Sequence, residues 1–260
     1  MELTELQVRA YRELGYVLVR GFLGADEVAR YRDEAERLTN HCYERGDLVA
    51  SWGCIIEPLG CGFLDGDLPT HARSSRSGYL AVREQISDRR LALCTLDTFG
   101  RCARQLLPPA GTDGCGPCLL NEQYIVKPPC SDAAFAWHQD ILYFSPSQRQ
   151  HAIVSVWTPL DAVSEANGTV LVDPFPDPRQ PGIYPPSGAP LRTPIVADMD
   201  AGDALFMDGR LRHCSAGNGS SAFRTAYMPQ FSQAPITAGN SLAALAVPLA
   251  TDCSRHSFCE

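Results

Sequence analysis

Two imidazoles, a carboxylate and a guanidinium carry the chemistry legible in this chain. His138 and Asp140 stand two apart in Trp137-His138-Gln139-Asp140, and His213 and Arg224 follow some seventy residues later. On an extended segment, residues i and i+2 point to the same side. An imidazole and a carboxylate would therefore face one ion from one strand edge, and His213 has to arrive from a distant strand. Two histidines and one carboxylate cover one face of an octahedral ion and leave three positions open. That set suits a non-haem iron(II) that takes a second carboxylate ligand and oxygen. The same three donors with a water describe zinc at a hydrolytic or isomerising site. By itself the HxD spacing chooses neither, and it also fits a core histidine beside a turn-capping aspartate.

The elements that must position these groups fall into two textures. Thr4 caps a first helix with Gln7 as its capping-box partner, and Gly15 ends it. Tyr16 to Arg20 reads as a strand and Gly21 to Gly24 as a turn. Asp26 opens a second helix whose Val28, Tyr31, Ala35 and Leu38 share one face. Residues 41 to 78 show little periodicity and read as long loops. Residues 79 to 107 look helical until Pro108-Pro109 stops them. From residue 119 onward the runs are short and strand-like: Leu119 to Val126, Ala152 to Trp157, Thr169 to Val172, Ala204 to Met207 and Arg224 to Phe231. Such strands between Gly/Pro turns indicate a β-sandwich or jelly roll, which sets remote strands side by side. Eight prolines from Pro174 to Pro194 exclude a helix or central strand there. That segment reads as an ordered surface loop, either over the mouth of the site or a plain connector. One domain is expected: residues 1–118 as a helical and loop buttress, 119–233 as the core carrying the site, and 234–260 as a C-terminal tail.

Composition narrows the function classes. The 260 residues are 45% hydrophobic and 20% charged, ample for a core. With a net charge of -8 and no basic patch, nucleic acid is not an expected partner. No apolar run is long enough for a membrane span. The start, Met1-Glu2-Leu3-Thr4-Glu5, lacks signal-peptide features. Eleven irregularly spaced cysteines then read as reduced thiols in a cytoplasmic protein. On that reading the sequons at Asn167 and Asn218 are incidental. Cys115-Gly116-Pro117-Cys118 has redox-dithiol spacing, but a Pro/Gly loop precedes it and a strand follows, so it reads as a tight turn. Cys54, Cys61, Cys253 and Cys259 lack zinc-like partners and read as structural. His41, His71 and His256 read as surface residues and His151 as structural. Arg76, Arg83, Arg89 and Arg90 read as a solvated helix face, the other reading being a site for an acidic substrate.

The surrounding pattern resembles the phytanoyl-CoA dioxygenase family of iron(II)/2-oxoglutarate oxygenases. Leu14-Gly15-Tyr16-Val17-Leu18-Val19-Arg20-Gly21-Phe22-Leu23 resembles that family's start, and Phe135 to Asp140 its first ligand segment. Val156-Trp157-Thr158-Pro159-Leu160-Asp161 and Glu165-Ala166-Asn167-Gly168 resemble its next strands and turn. Gly202-Asp203-Ala204-Leu205-Phe206, His213-Cys214-Ser215 and Arg224 resemble its last core segment. The likeness runs from about residue 4 to 231 and is least specific over 41–118. It implies a double-stranded β-helix, a cupin-like jelly roll, buttressed by N-terminal helices. It implies iron(II) on His138, Asp140 and His213, with 2-oxoglutarate and O2 as cosubstrates. Arg224, eleven residues after His213, would grip the distal carboxylate of 2-oxoglutarate, a task that suits a planar guanidinium. Ser215 would donate to the same carboxylate, and Trp157 and Gln123 would contact the cosubstrate. The implied reaction hydroxylates an unactivated C–H bond of a small molecule and releases succinate and CO2. A zinc hydrolase or isomerase and a non-catalytic ligand-binding barrel are the rival readings. Where the family often has Pro-Gly-Ser-His, this chain has Asp173-Pro174-Phe175-Pro176, so a different pocket wall is expected. Asp140 is kept, whereas halogenating relatives lack that carboxylate.

Overall fold

A computed structural model describes residues 1–46, 55–109, 116–177, 182–183, 190–236 and 245–249. Helix α1 (Glu5–Leu14) starts at the Thr4 capping box and stops at Gly15, whose φ of +82° only glycine adopts easily. The Phe175 ring lies against that glycine, 2.8 Å from where a Cβ would stand. Strand β1 (Tyr16–Val19) follows, then α2 (Ala25–Glu44), capped at Gly24 by the Glu27 carboxylate. The stretch read as long loops contains β2 (Ile55–Ile56), α3 (Thr70–Ser74) and the start of α4 (Arg76–Ile86). These pieces are too short or too polar to show periodicity. Tertiary packing holds them instead, through fully buried Ala72 and the Ser75 cap on Gly78 N–H. The stretch expected to be helical over 79–107 is helical in several pieces, divided where Asp88 caps α5 (Arg89–Leu93). A π-helical turn over Cys94–Phe99 then leads into α6 (Gly100–Leu106).

The chain then winds between two antiparallel sheets. Strands β3 (Cys118–Lys127), β5 (Ile153–Pro159), β8 (Ala204–Asp208) and β10 (Arg224–Ser232) belong to the larger sheet. Strands β4 (Phe135–His138), β6 (Val170–Asp173), β7 (Ile195–Val196) and β9 (Arg212–Ser215) form the smaller one. The larger sheet has the order β1-β8-β5-β10-β3, with β2 and β11 (Val247–Pro248) on the far edge of β3; the smaller runs β4-β9-β6-β7. This alternation between facing sheets is the double-stranded β-helix expected from the sequence. The stretch beyond residue 233, expected as a tail, places Leu245, Val247 and Leu249 in the core through β11.

Period-two alternation divides the large sheet cleanly. Tyr124, Val126, Val154, Val156, Phe206, Tyr227 and Phe231 face the helices and build the main core with Tyr31, Leu38 and Phe99. Ile125, Trp157, Leu205, Met207, Ala226 and Met228 face the smaller sheet. Arg83 corrects the expectation of a solvated arginine face. It is 1% exposed and sits between the helices and β3, 2.8 Å from both Glu34 and Glu122. Arg76, Arg89 and Arg90 pair with Asp97, Glu84 and Asp88 nearer the surface. Asn218 is a packing residue, since its buried amide bonds the carbonyls of Lys127, Pro128 and Ala222. His41 is half-buried, with Nε2 3.0 Å from the Gly62 carbonyl, so it is a packing residue. His71 is exposed, and His151 lies in a bend before β5. No disulfide joins two of the seven described cysteines; Cys54, Cys115, Cys253, Cys259 and His256 lie outside the described residues. No helix among the described residues is long and apolar enough to cross a membrane.

Candidate metal centre

His138 ends β4 and stands directly opposite His213 of β9 in the antiparallel register, with ring centroids 4.1 Å apart. Asp140 is not on a strand, as expected from its spacing, but opens a 3₁₀ turn over Asp140–Tyr143. Gln139 between them is extended (φ −128°, ψ 129°), so His138 and Asp140 still project to one side. The Gln139 amide turns the other way and bonds the carbonyls of Gly182 and Arg210.

The donor set fits a metal. His138 Nδ1 lies 2.8 Å from the Ala136 carbonyl and His213 Nδ1 3.1 Å from the Leu211 carbonyl. A carbonyl only accepts, so each Nδ1 carries a proton and each ring, when neutral, offers an Nε2 lone pair. Asp140 divides its oxygens. Oδ2 accepts from Ser155 Oγ and, at 3.0 Å, from Gln230 Nε2. Oδ1 faces both Nε2 atoms at 3.6 Å, beyond a hydrogen bond of about 2.7–3.2 Å. The three donor atoms fall within 4.8 Å of one another, and no other such cluster occurs among the described residues. Burial, reinforced by the neighbouring His138, lowers the His213 pKa to about 4, which keeps that ring neutral at physiological pH. Burial pushes Asp140 up, but His213, His138 and the Ser155 hydroxyl outweigh it and hold the carboxyl well below its usual range.

All seven residues singled out in the sequence line one cavity of about 1100 Å³. His138, Asp140 and His213 lie in its wall with Gln123 of β3 and Trp157 of β5. Arg224 opens β10, 1% exposed, with its guanidinium 5.5 Å from the Trp157 ring centre. Ser215 closes β9. Beside this group the walls are apolar (Ile125, Val170, Met207 and Met228), and the cavity is also lined by Leu120, Leu142, Tyr143 and Phe144. Sequence reading missed Ser155 and Gln230, which hold the carboxylate, and Lys127, which donates to Ser215 Oγ at 2.7 Å. Strand parity was the signal available. Lys127 is Gln123 plus four, Ser155 is Trp157 minus two and Gln230 is Arg224 plus six, all on the inward face.

Comparisons with known proteins agree with this geometry. The 2-oxoglutarate-dependent carbocyclase SnoK from nogalamycin biosynthesis superposes with a TM-score of 0.64 at 18% identity, over 96% of this chain and 94% of that one. EvdO2 from Micromonospora carbonacea var. aurantiaca, crystallised with 2-oxoglutarate, gives 0.61 at 19%, over 94% and 96%. Both show the same fold. Among curated proteins, the peroxisomal phytanoyl-CoA dioxygenase of Bos taurus is 24% identical over 248 residues, 88% of this chain and 68% of that protein. The family model for phytanoyl-CoA dioxygenase (PhyH) matches residues 11–226, and the chain belongs to that family of iron(II)- and 2-oxoglutarate-dependent oxygenases.

Proposed function

We propose that this protein hydroxylates an unactivated C–H bond of a small-molecule substrate at the His138/Asp140/His213 centre, releasing succinate and CO2. The observation that carries the reading is one cavity joining the triad to a buried arginine and serine on one side and an apolar, aromatic wall on the other. Iron(II) with 2-oxoglutarate and O2 supplies the oxidising chemistry when bound. The chain's own residues do the rest. The two rings and Oδ1 of Asp140 hold the ion, while Ser155 and Gln230 fix the carboxylate's orientation. The Arg224 fork and the Ser215 hydroxyl take the distal carboxylate, with Trp157 against the guanidinium. Ile125, Met207 and Met228 exclude water from the cosubstrate. Leu120, Leu142, Tyr143 and Phe144 face the substrate.

Phytanoyl-CoA itself is not carried over. Asp173, at the departure from the family pattern, accepts the N–H groups of Leu191 and Arg192 and pairs with Arg212 at 3.2 Å. SnoK, on the same fold, closes a carbocycle, so the fate of the substrate has to be read from the product. Adding iron(II) and 2-oxoglutarate without oxygen should give a visible charge-transfer band, absent in His138→Ala and Asp140→Ala. A colourless wild type that contains zinc would favour the hydrolase reading. A succinate-release screen over metabolite pools, followed by mass spectrometry, should show a product heavier by one oxygen. Loss of two hydrogens would make the protein a desaturase instead.

A further inference from the structure

We infer that Lys127 is a positioning residue for the cosubstrate, making the Ser215 hydroxyl a committed donor and adding a second cation beside Arg224. The inference rests on the proposed 2-oxoglutarate reading of this end of the cavity. Lys127 is fully buried, and Arg224 is 1% exposed. The two stand opposite each other in the antiparallel register of β3 and β10, so both side chains leave the same face. Each cation has an aromatic neighbour: Lys127 Nζ is 5.4 Å from the Phe135 ring centre and Arg224 Cζ 5.5 Å from that of Trp157.

The atom-level argument concerns Ser215. A lysine ammonium has three donors and no acceptor, so in the 2.7 Å bond the Ser215 oxygen must accept. The hydroxyl's own hydrogen is then free to point elsewhere. Ser215 lines the cavity together with Arg224, and an anion there receives that hydrogen. Lys127 also donates to the Ala216 carbonyl, which fixes its head group behind the serine. A second carboxylate on the ligand thus meets a guanidinium fork, an oriented hydroxyl and a nearby ammonium, in surroundings where charge–charge attraction is weakly screened. A 2-oxo acid without that carboxylate gains nothing from the array. Lys127 accordingly sets the preference for a dicarboxylate.

Calorimetric titration of the iron(II)-loaded protein without oxygen tests this, using 2-oxoglutarate and 2-oxopentanoate, which share the chelating head and differ in the distal carboxylate. Lys127→Met should weaken 2-oxoglutarate about ten- to a hundredfold and leave 2-oxopentanoate unchanged. In a Ser215→Ala background the same substitution should cost less than in the wild type, because the part of its effect that runs through the hydroxyl is already gone. Lys127→Gln, which keeps a donor without the charge, serves if the methionine variant does not fold. Equal weakening of both ligands would assign Lys127 a purely structural role, and unchanged affinity for 2-oxoglutarate would also overturn the inference. A wild type without preference for 2-oxoglutarate would instead remove the reading of the Arg224 end, a separate and distinguishable failure.

Discussion

Asp140 does two things with two oxygens. One is tied to Ser155 and Gln230, and the other is turned to the paired imidazoles. The HxD spacing shows the donors but not this division, because its partners come from strands distant in sequence. Arg224 shows the reverse case. Its role is implied by family order, and the structure adds its burial and the Trp157 ring beside it. Replacing it with lysine keeps the charge but removes the planar fork. Arg224→Lys should raise KM for 2-oxoglutarate about tenfold or more, with a smaller change in kcat. Steady-state succinate formation measures this, and an unchanged KM would show that the guanidinium does not touch the cosubstrate.

The strands were legible because their inward and outward faces alternate, and six of them lie close to where the pattern puts them. The N-terminal third was less legible. Helix α3 has no apolar period, and β2 has two residues. Arg83 was misplaced for a related reason. A helix register says which residues share a face, but not that two glutamates and two tyrosines from elsewhere will cover it. Tyr124 bonds Glu34 at 2.9 Å and Tyr227 bonds Glu122 at 2.8 Å, and Arg83 neutralises both carboxylates. Burial already raises the pKa of Glu122. Arg83→Met would leave two buried carboxylates uncompensated and should destabilise the fold by about 3–5 kcal/mol. That is a fall of roughly 10 °C in melting temperature for a chain of this size. A change below about 1 kcal/mol would mean that the glutamates take up protons without cost.

Across the whole molecule, the centre joins the two sheets. His138 and His213 belong to the smaller sheet, while Asp140 is held by Ser155 and Gln230 of the larger one. A cation bound there is a rivet between layers that apolar packing and the Lys127–Ser215 bond also hold. Saturating manganese(II), which binds without turnover, should raise the melting temperature by several degrees, since about 100 times Kd contributes roughly 2.7 kcal/mol. His213→Ala should abolish the gain, and a metal-independent melt would show that the sheets need no such tie. The proline-rich excursion after β6 is also tied, at its base, where Asp173 holds Leu191, Arg192 and Arg212. A loop whose ends are pinned is thermodynamically cheap to lengthen, each doubling costing only about 0.6 kcal/mol. Phe175 on Gly15 and the Gly182 carbonyl on the Gln139 amide are further ties, so insertions between residues 183 and 190 would leave the strand bearing His213 in place.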